Sequence, residues 1–315
     1  MIDLSIIIIN YNGEKFLEDC LTSIDEYTSK IVYETIVVDN GTVDFNLSSW
    51  QFKFPKVNFI INDYNKGFAA ANNDGLKVAK GKYILFLNND TRLISNIFFD
   101  VFSYCEKYDS GIFAGCQLLN ADLSKQESVV EFPSLWNGFT ENFFLYKLFP
   151  KSKIFNKYYQ NNYDYTEPVE TDVIKGAFMF CRRDIMEDLG GFDDRFFFYS
   201  EETDLCKRFK NSGGKILFLP QYKIIHYGGS TSDNNLWFKF KNQTIGKIQY
   251  YQKHFGGMEF TAVIIIHFFG LFLRGVANCT AGILLLRKKL FVKGYYFFKQ
   301  MFVYPNNVFE DKKEL

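Results

Sequence analysis

Lys82-Tyr-Ile-Leu-Phe-Leu-Asn-Asn-Asp90 is the stretch whose reading decides the fold. Tyr83 to Leu87 are aromatic or aliphatic without a break, too short a run for a helix, and they read as a strand buried on both faces. The run stops abruptly on two amides and a carboxylate, which puts Asn88 and Asp90 at the strand's carboxyl end. In an open α/β sheet ligands bind just beyond those ends, where Asn88 and Asp90 would hold a phosphate-bound cation. Asn-Asn-Asp also favours a turn on its own account, and the stretch by itself leaves both readings open.

The same grammar recurs on the amino-terminal side. Leu4-Ser-Ile-Ile-Ile-Ile-Asn10 reads as a second buried strand, followed by Tyr11-Asn12-Gly13 and a segment of helical period with Phe16, Leu17, Cys20, Leu21 and Ile24 on one face. Glu34 to Asp39 is a third strand, ending on Asp39-Asn40-Gly41. An acid at the tip of the second strand can meet a ribose or base edge, or simply cap a turn. Val57 to Ile61 is a fourth, and Asn65-Lys-Gly-Phe-Ala-Ala-Ala-Asn72 follows it. Gly67 lets the backbone approach a ligand, and the helix beginning at Ala69, Ala70 and Ala71 would aim amide groups at a diphosphate above the sheet. A dinucleotide fingerprint needs GxGxxG directly after the first strand, but that position reads NYNGEKF. An NAD-dependent oxidoreductase therefore lacks its glycine loop here.

Strands alternating with helices call for a mostly parallel, right-handed αβα sandwich. Ile94 to Tyr108 continues the pattern as a helix and Gly111 to Leu119 as a strand. Residues 132–168 break it with Phe132, Trp136, Phe139, Phe143, Tyr163 and Tyr165 among their aromatics. This segment reads either as an insertion or lid beside an acceptor site or as a partner interface.

A chain of 315 residues that is 47% hydrophobic can bury a full core, which excludes disorder. Its aromatic content of 19% is well above ordinary usage, so apolar area is needed at a surface or in a pocket. Six cysteines without a CxxC pair, and no signal peptide, lead us to expect a reduced, cytosolic chain. Three scattered histidines argue against a His-rich zinc site. The net charge of zero hides a polarity: residues 236–299 carry ten Lys or Arg against one acid, Glu259. That basic, greasy end is expected to face an anionic surface, and no nucleic-acid partner is expected.

Farther on stand Thr171-Asp-Val-Ile-Lys-Gly-Ala-Phe-Met-Phe180, then Gly190-Gly-Phe-Asp-Asp-Arg-Phe-Phe-Phe-Tyr-Ser-Glu-Glu-Thr-Asp-Leu-Cys-Lys-Arg208, and then His226-Tyr-Gly-Gly-Ser230. With the opening strand, Asp39, the Asn65-x-Gly67-Phe68 loop and Leu87-Asn-Asn-Asp90, these motifs resemble family 2 glycosyltransferases of the GT-A fold, in particular the bacterial rhamnosyltransferase-like branch. The resemblance runs from Ile6 to about Ser232. It implies a GT-A nucleotide-diphospho-sugar transferase: an inverting enzyme that moves one sugar from a nucleotide-diphosphate donor onto a hydroxyl. It further implies that Asp90 is the final, metal-binding carboxylate of the family's DxD motif, with Asn88 in place of its first acid, so that the cation is held more loosely. His226 resembles the histidine that completes the metal site, and Asp39 the residue that contacts the base. Asn10, Asn65, Gly67, Phe68, Asn72 and Asn88 are the remaining positions assigned to the donor. The processive QxxRW motif is absent from the sequence, which favours a single transfer.

Displacement at an anomeric carbon needs a base for the acceptor hydroxyl and stabilisation of the departing diphosphate, which a carboxylate and a Mn2+ or Mg2+ ion supply. Glu201 and Glu202 open a helix running to Ser212-Gly213-Gly214, where acids in the first turn also complement the helix dipole. The aromatic run Phe196 to Tyr199 before them would exclude water from a reactive sugar. Together with the resemblance, this assigns the base to Glu202, with Glu201 as the alternative and Asp204 orienting. His226 ends a strand, Tyr222 to Ile225, and reads as a ligand or as a hydrogen-bonded structural residue. His254 and His267 read as structural.

Ala262 to Leu286 is long enough to span a bilayer, but Arg274 at its midpoint would cost about 2.5–3.5 kcal/mol. His267, Arg274 and Asn278 fall within about 40° of one another at 100° per residue, forming a polar stripe. One or two interfacial helices with Arg287, Lys288 and Lys289 at lipid headgroups fit this pattern, and a core helix packed on the catalytic domain is the alternative. The expected organisation is a catalytic domain over 1–235, including the aromatic segment 132–168, and a membrane-associating helical region over 236–315. The expected setting is peripheral, at the inner face of the cytoplasmic membrane, beside a glycan or polyprenyl-diphosphate-linked acceptor. A second reading is a sugar-nucleotide-binding or scaffold protein that kept the fold and lost turnover, motivated by Asn88 in place of Asp.

Overall fold

The computed structural model describes residues 1–108, 111–159, 165–228 and 235–303. The chain divides into two compact units, one formed by residues 1–130, 163–197 and 201–231, the other by 131–162, 198–200 and 232–315.

The first unit opens with strand β1 (Leu4–Asn10), helix α1 (Glu14–Tyr27), β2 (Tyr33–Asn40), α2 (Leu47–Lys53), β3 (Val57–Asn62), α3 (Phe68–Val78) and β4 (Tyr83–Asn88). The four strands are mutually parallel in the order β3-β2-β1-β4, because each β-rich run returns through a helix to the same end of the sheet. Tyr83 to Leu87 are buried, as a strand covered on both faces must be. Leu17, Cys20, Leu21 and Ile24 of α1 join the core that also holds Ile6, Ile8 and Leu85.

After β4 the chain departs from simple alternation. Asp90 leads into β5 (Thr91–Leu93), so the helix expected from Ile94 is the shorter α4 (Ile97–Cys105). Then come β6 (Ile112–Leu119) and β7 (Val129–Val130). The second unit contributes α5 (Leu135–Asn142) and α6 (Leu145–Leu148). The first resumes with β8 (Val169–Glu170), β9 (Val173–Ile174), β10 (Phe178–Arg182), α7 (Arg183–Asp188), α8 (Glu201–Asn211) and β11 (Lys215–His226). β10 inserts antiparallel between β4 and β6, β11 runs parallel to β6, and β5 lies antiparallel against the far end of β11. The sheet is thus mixed but mostly parallel, with a reversal that a strand-by-strand reading of hydrophobic runs does not reveal.

The second unit is helical. Beyond α5 and α6 it holds α9 (Leu236–His254), α10 (Gly257–Leu284) and α11 (Lys288–Gln300). The aromatic segment up to Tyr159 groups with these helices, and Tyr163 lies outside the described residues. Gly270 of α10 takes the Asn142 side chain against its backbone, leaving no room for a Cβ, and Thr244 of α9 donates a buried hydrogen bond to Gln300 of α11 at 2.8 Å. The polar stripe of α10 is turned inward. Arg274 donates to the Asn142 side chain (3.0 Å) and the Glu141 carbonyl (2.9 Å), Lys247 pairs with Glu141 (2.8 Å), and His267 is buried. Partners on α5 offset the cost of Arg274, and the face left outward is apolar.

Candidate active site

Parallel pairing aligns the carboxyl ends of the strands. Asn10 lies opposite Asp39, Ile9 opposite Asn88, and Asn40 opposite Asn62. One edge of the sheet therefore carries a row of amides and one carboxylate. Asp39 is fully buried and accepts from Asn10 Nδ2 (2.8 Å) and the Thr42 amide (3.0 Å), while Asn10 Oδ1 accepts from Asn89 Nδ2 (3.0 Å). A buried carboxylate tolerates its site when donors surround it, and these hydrogen bonds tie β1, β2 and the β4–β5 turn together.

Asn40, which the sequence did not single out, holds the next loop. Its Nδ2 donates to Asn65 Oδ1 (2.9 Å), and its Oδ1 accepts from Asn62 Nδ2 and the Lys66 amide (both 3.1 Å). Gly67 has φ +89°, and a Cβ there would lie 2.6 Å from the Phe197 carbonyl oxygen, so only glycine fits. The amide of Phe68, at the start of α3, donates to that carbonyl (2.7 Å). The amide expected to face a ligand is thus engaged by the chain itself, and Asn72 turns its Nδ2 onto the Phe68 carbonyl of its own helix (2.9 Å).

The antiparallel pairing of β5 with β11 sets Thr91 opposite His226 and brings the histidine to the LNND turn. His226 Nε2 lies 3.3 Å from Asp90 Oδ1 and 3.4 Å from Asn88 Nδ2, and the Tyr227 amide donates to the Asp90 carbonyl (2.9 Å). Asn88 Oδ1 is buried and meets no hydrogen-bond partner among the described residues. A carboxylate oxygen and an imidazole nitrogen thus meet beside the Asn88 side chain, whose buried oxygen has no partner among the described residues, a donor set that fits a divalent cation. Among the described residues no group of three His, Cys, Asp or Glu forms a metal cluster, so a cation here would take its other positions from substrate and water. On its far side His226 Nδ1 meets Gln126 Oε1 at 2.6 Å. Gly229 and Ser230 of the same motif lie outside the described residues.

Glu201 and Glu202 begin α8. Glu201 is buried, and burial first, then the charge of Glu202, pushes its carboxyl well above the usual range. The Oε2 atoms of both glutamates are buried without a partner among the described residues. Gly176 lies beside the Glu202 side chain and the Phe68 ring, at ordinary van der Waals distance from where a Cβ would stand. The two residues before the helix, Tyr199 and Ser200, have φ of +72° and +73°, a conformation costing roughly 1–3 kcal/mol per side-chain-bearing residue. Asp204 is fully buried and bonded to Arg208 Nε (2.9 Å), whose other nitrogens donate to the Leu189 and Gly191 carbonyls (both 2.7 Å). It anchors the GGFD turn through that arginine.

Strand ends carrying amides, a candidate cation site and two adjacent glutamates, one buried and one half-buried, are the equipment of a GT-A nucleotide-sugar transferase. The family comparison agrees: the profile "Glycosyl transferase family 2" matches residues 5–190, more than half of the chain, and the protein belongs to that family. It is 28% identical over 250 residues to the rhamnosyltransferase WbbL of Escherichia coli, covering 74% of this chain and 86% of that one. It is 23% identical over 237 residues to the N-acetylglucosaminyl-diphospho-decaprenol L-rhamnosyltransferase of Mycobacterium tuberculosis, covering 71% and 76%. It spans only 18% of the poly(ribitol-phosphate) beta-glucosyltransferase of Bacillus spizizenii, at 33% identity over 117 residues that make up 36% of this chain. The mannosyltransferase of Pyrobaculum calidifontis, solved with GDP-Man and Mn2+, shares the fold at a TM-score of 0.54 and 14% identity, covering 94% of this chain and 85% of that one.

Proposed function

We propose that the protein transfers one sugar, with inversion, from a nucleotide-diphosphate donor to a hydroxyl of a lipid-linked acceptor in cell-surface polysaccharide synthesis. Rhamnose is the sugar we favour, since the two relatives matched over most of their length are named as rhamnosyltransferases. The observation that carries the reading is the meeting of Asp90 and His226 at the carboxyl ends of the strands, beside Asn88, whose buried side-chain oxygen has no partner among the described residues. Those three residues would hold Mn2+ or Mg2+, which, when bound, neutralises charge on the departing nucleoside diphosphate.

The remaining work falls to the chain's own side chains. Asp39, fixed by Asn10 and Thr42, would meet the base or ribose, and the Asn65–Phe68 loop, pinned by Asn40, the rest of the donor. Glu202 accepts the proton of the acceptor hydroxyl. Burial, and then the charge of Glu202, favours the protonated form of Glu201, which leaves the role of base to Glu202. Asp204 orients the helix from behind.

The second unit supports attachment to a membrane surface. Ile265, Phe269, Phe272, Val276 and Ile283 are exposed and lie within about 60° of one another around α10. This is the reverse of a water-facing helix, and it continues into exposed Leu284, Leu285 and Leu286 followed by Arg287, Lys288 and Lys289.

Thermal-shift titration of the full chain with UDP-, dTDP- and GDP-sugars, with and without Mn2+, tests the donor and the cation together. Stabilisation by one donor that chelator removes is the expected result, followed by release of nucleoside diphosphate and a product of inverted anomeric configuration. Binding without release would favour the scaffold reading.

A further inference from the structure

Gln126 belongs to an irregular stretch after β6 and carries no sequence signal of function, yet among the described residues it makes the shortest polar contact to His226. The turn that presents it is built from Asn120, Asp122 and Ser124: Ser124 donates through its amide to Asp122 Oδ1 (3.0 Å), and Asn120 Nδ2 donates to Ser124 Oγ (2.9 Å). Gln126 is then held at both ends. Its amide donates to the Leu118 carbonyl (2.9 Å), and its side-chain Nε2 donates to Asn120 Oδ1 (2.9 Å) and to the His226 carbonyl (3.3 Å). The main-chain carbonyl of His226 can only accept, which fixes the amide orientation: Nε2 is the donor end and Oε1 the acceptor end. His226 Nδ1, 2.6 Å from that acceptor oxygen, must carry a hydrogen.

We infer that Gln126 is a positioning residue that locks His226 in its Nδ1–H form, so that Nε2 is the nitrogen directed at Asp90 and Asn88 for a divalent cation. An imidazole can ligate through either nitrogen, and the hydrogen bond made by the other decides which. Without the Gln126 oxygen the ring can protonate Nε2 and donate to Asp90 Oδ1, 3.3 Å away, which removes the lone pair from the place where a cation would need it. Gly228, two residues on, has φ +68°, a left-handed conformation that glycine adopts without strain. This role rests on the cation reading of Asp90 and His226, but its first consequence, the tautomer, is visible without any metal.

The chain has three histidines, His226, His254 and His267, so long-range proton–nitrogen correlation spectra of the full-length protein can be assigned from one His226→Ala variant. At a pH where imidazole is neutral, wild type is expected to show the Nδ1–H tautomer at His226, Gln126→Leu to shift it toward Nε2–H, and Gln126→Glu, which keeps an acceptor oxygen, to retain it. Binding of Mn2+ alone, followed by loss of the free-ion electron paramagnetic resonance signal, is expected to weaken about 10–100-fold in Gln126→Leu, and Gln126→Glu is expected to bind within a few-fold of wild type. An Nε2–H tautomer in wild type, or an unchanged tautomer and Mn2+ affinity in Gln126→Leu, overturns the inference. If Gln126→Leu does not fold, the wild-type and Gln126→Glu spectra decide it. Failure of wild type to bind Mn2+ would overturn the cation reading instead, and the tautomer comparison would still decide the role of Gln126.

Discussion

His226 Nε2 stands 3.3 Å from Asp90 Oδ1 because β5, three residues long, pairs antiparallel with the end of β11 and sets Thr91 opposite the histidine. A distant motif thereby meets the LNND turn. Asp90→Ala removes the one carboxylate of this set, and we expect donor binding to lose its dependence on Mn2+. Calorimetric titration of the variant with the donor, with and without chelator, checks this. Affinity equal to wild type under both conditions would sink the assignment of Asp90.

The two glutamates of α8 are expected to separate by function. Glu202→Gln should leave donor affinity nearly intact and lower turnover by about a hundredfold or more, the scale on which general bases act. Burial and the charge of Glu202 favour the protonated form of Glu201, which a glutamine mimics, so the turnover of Glu201→Gln should stay within several-fold of wild type. A dead Glu201→Gln beside an active Glu202→Gln exchanges the roles.

Glu201 also makes stability depend on pH in a predictable direction. Its carboxyl in the folded chain binds a proton more tightly than in the unfolded chain, mainly through burial and then through the charge of Glu202. The contribution is therefore fully present below the unfolded pKa of about 4.3 and is lost as pH rises through the raised folded value. Urea denaturation between about pH 5 and about pH 8 should show wild type losing stability that Glu201→Gln does not lose. Parallel curves for the two proteins would contradict the burial of that carboxyl.

Asp204→Asn tests a structural role. The substitution leaves the Arg208 guanidinium without its buried counter-charge, a change that costs on the order of 3 kcal/mol. Loss of stability together with a near-normal turnover at low temperature fits an anchor for the Gly190–Gly191 turn. Loss of turnover at full stability would place Asp204 in the chemistry.

The strands of the first half could be read because a buried parallel strand is a short apolar run with a polar stop. Leu4–Asn10, Tyr33–Asn40 and Tyr83–Asn88 all obey that rule. β5 and the antiparallel β10 could not be read: Thr91–Leu93 is too short to have a period, and the direction of Phe178–Arg182 is set by its neighbours β4 and β6. Among candidate site residues, Asn88, Asp90 and His226 stood in recognisable motifs, and the structure brings them together. Gln126 and Asn40 act through side-chain hydrogen bonds to residues far away in sequence, which leave no spacing to detect. The polar stripe of α10 was legible as a stripe but not as an inward one, because its direction depends on Glu141 and Asn142 of α5.

The last prediction concerns attachment to a membrane. α10 is 28 residues long and apolar enough to cross a bilayer, and most of its apolar stretch is left unburied by the protein. Its outward face and the exposed Leu284, Leu285 and Leu286 lead directly to Arg287, Lys288 and Lys289. Each basic residue near an anionic surface contributes about 1 kcal/mol, a contribution that salt screens. Each leucine that becomes fully buried contributes roughly 1.5–3 kcal/mol, which salt does not screen. High salt should therefore release only part of the protein from membranes, and salt with mild detergent should release all of it. In sedimentation with anionic vesicles, exchanging Arg287, Lys288 and Lys289 for Gln should weaken binding at low salt and have little effect at high salt. Exchanging Leu284, Leu285 and Leu286 for Gln should weaken it at both. A full-length chain that is soluble and monomeric without detergent, and that ignores both sets of substitutions, would overturn surface attachment. Resistance to alkaline carbonate extraction would instead indicate a true span, with Arg274 held against Glu141 and Asn142.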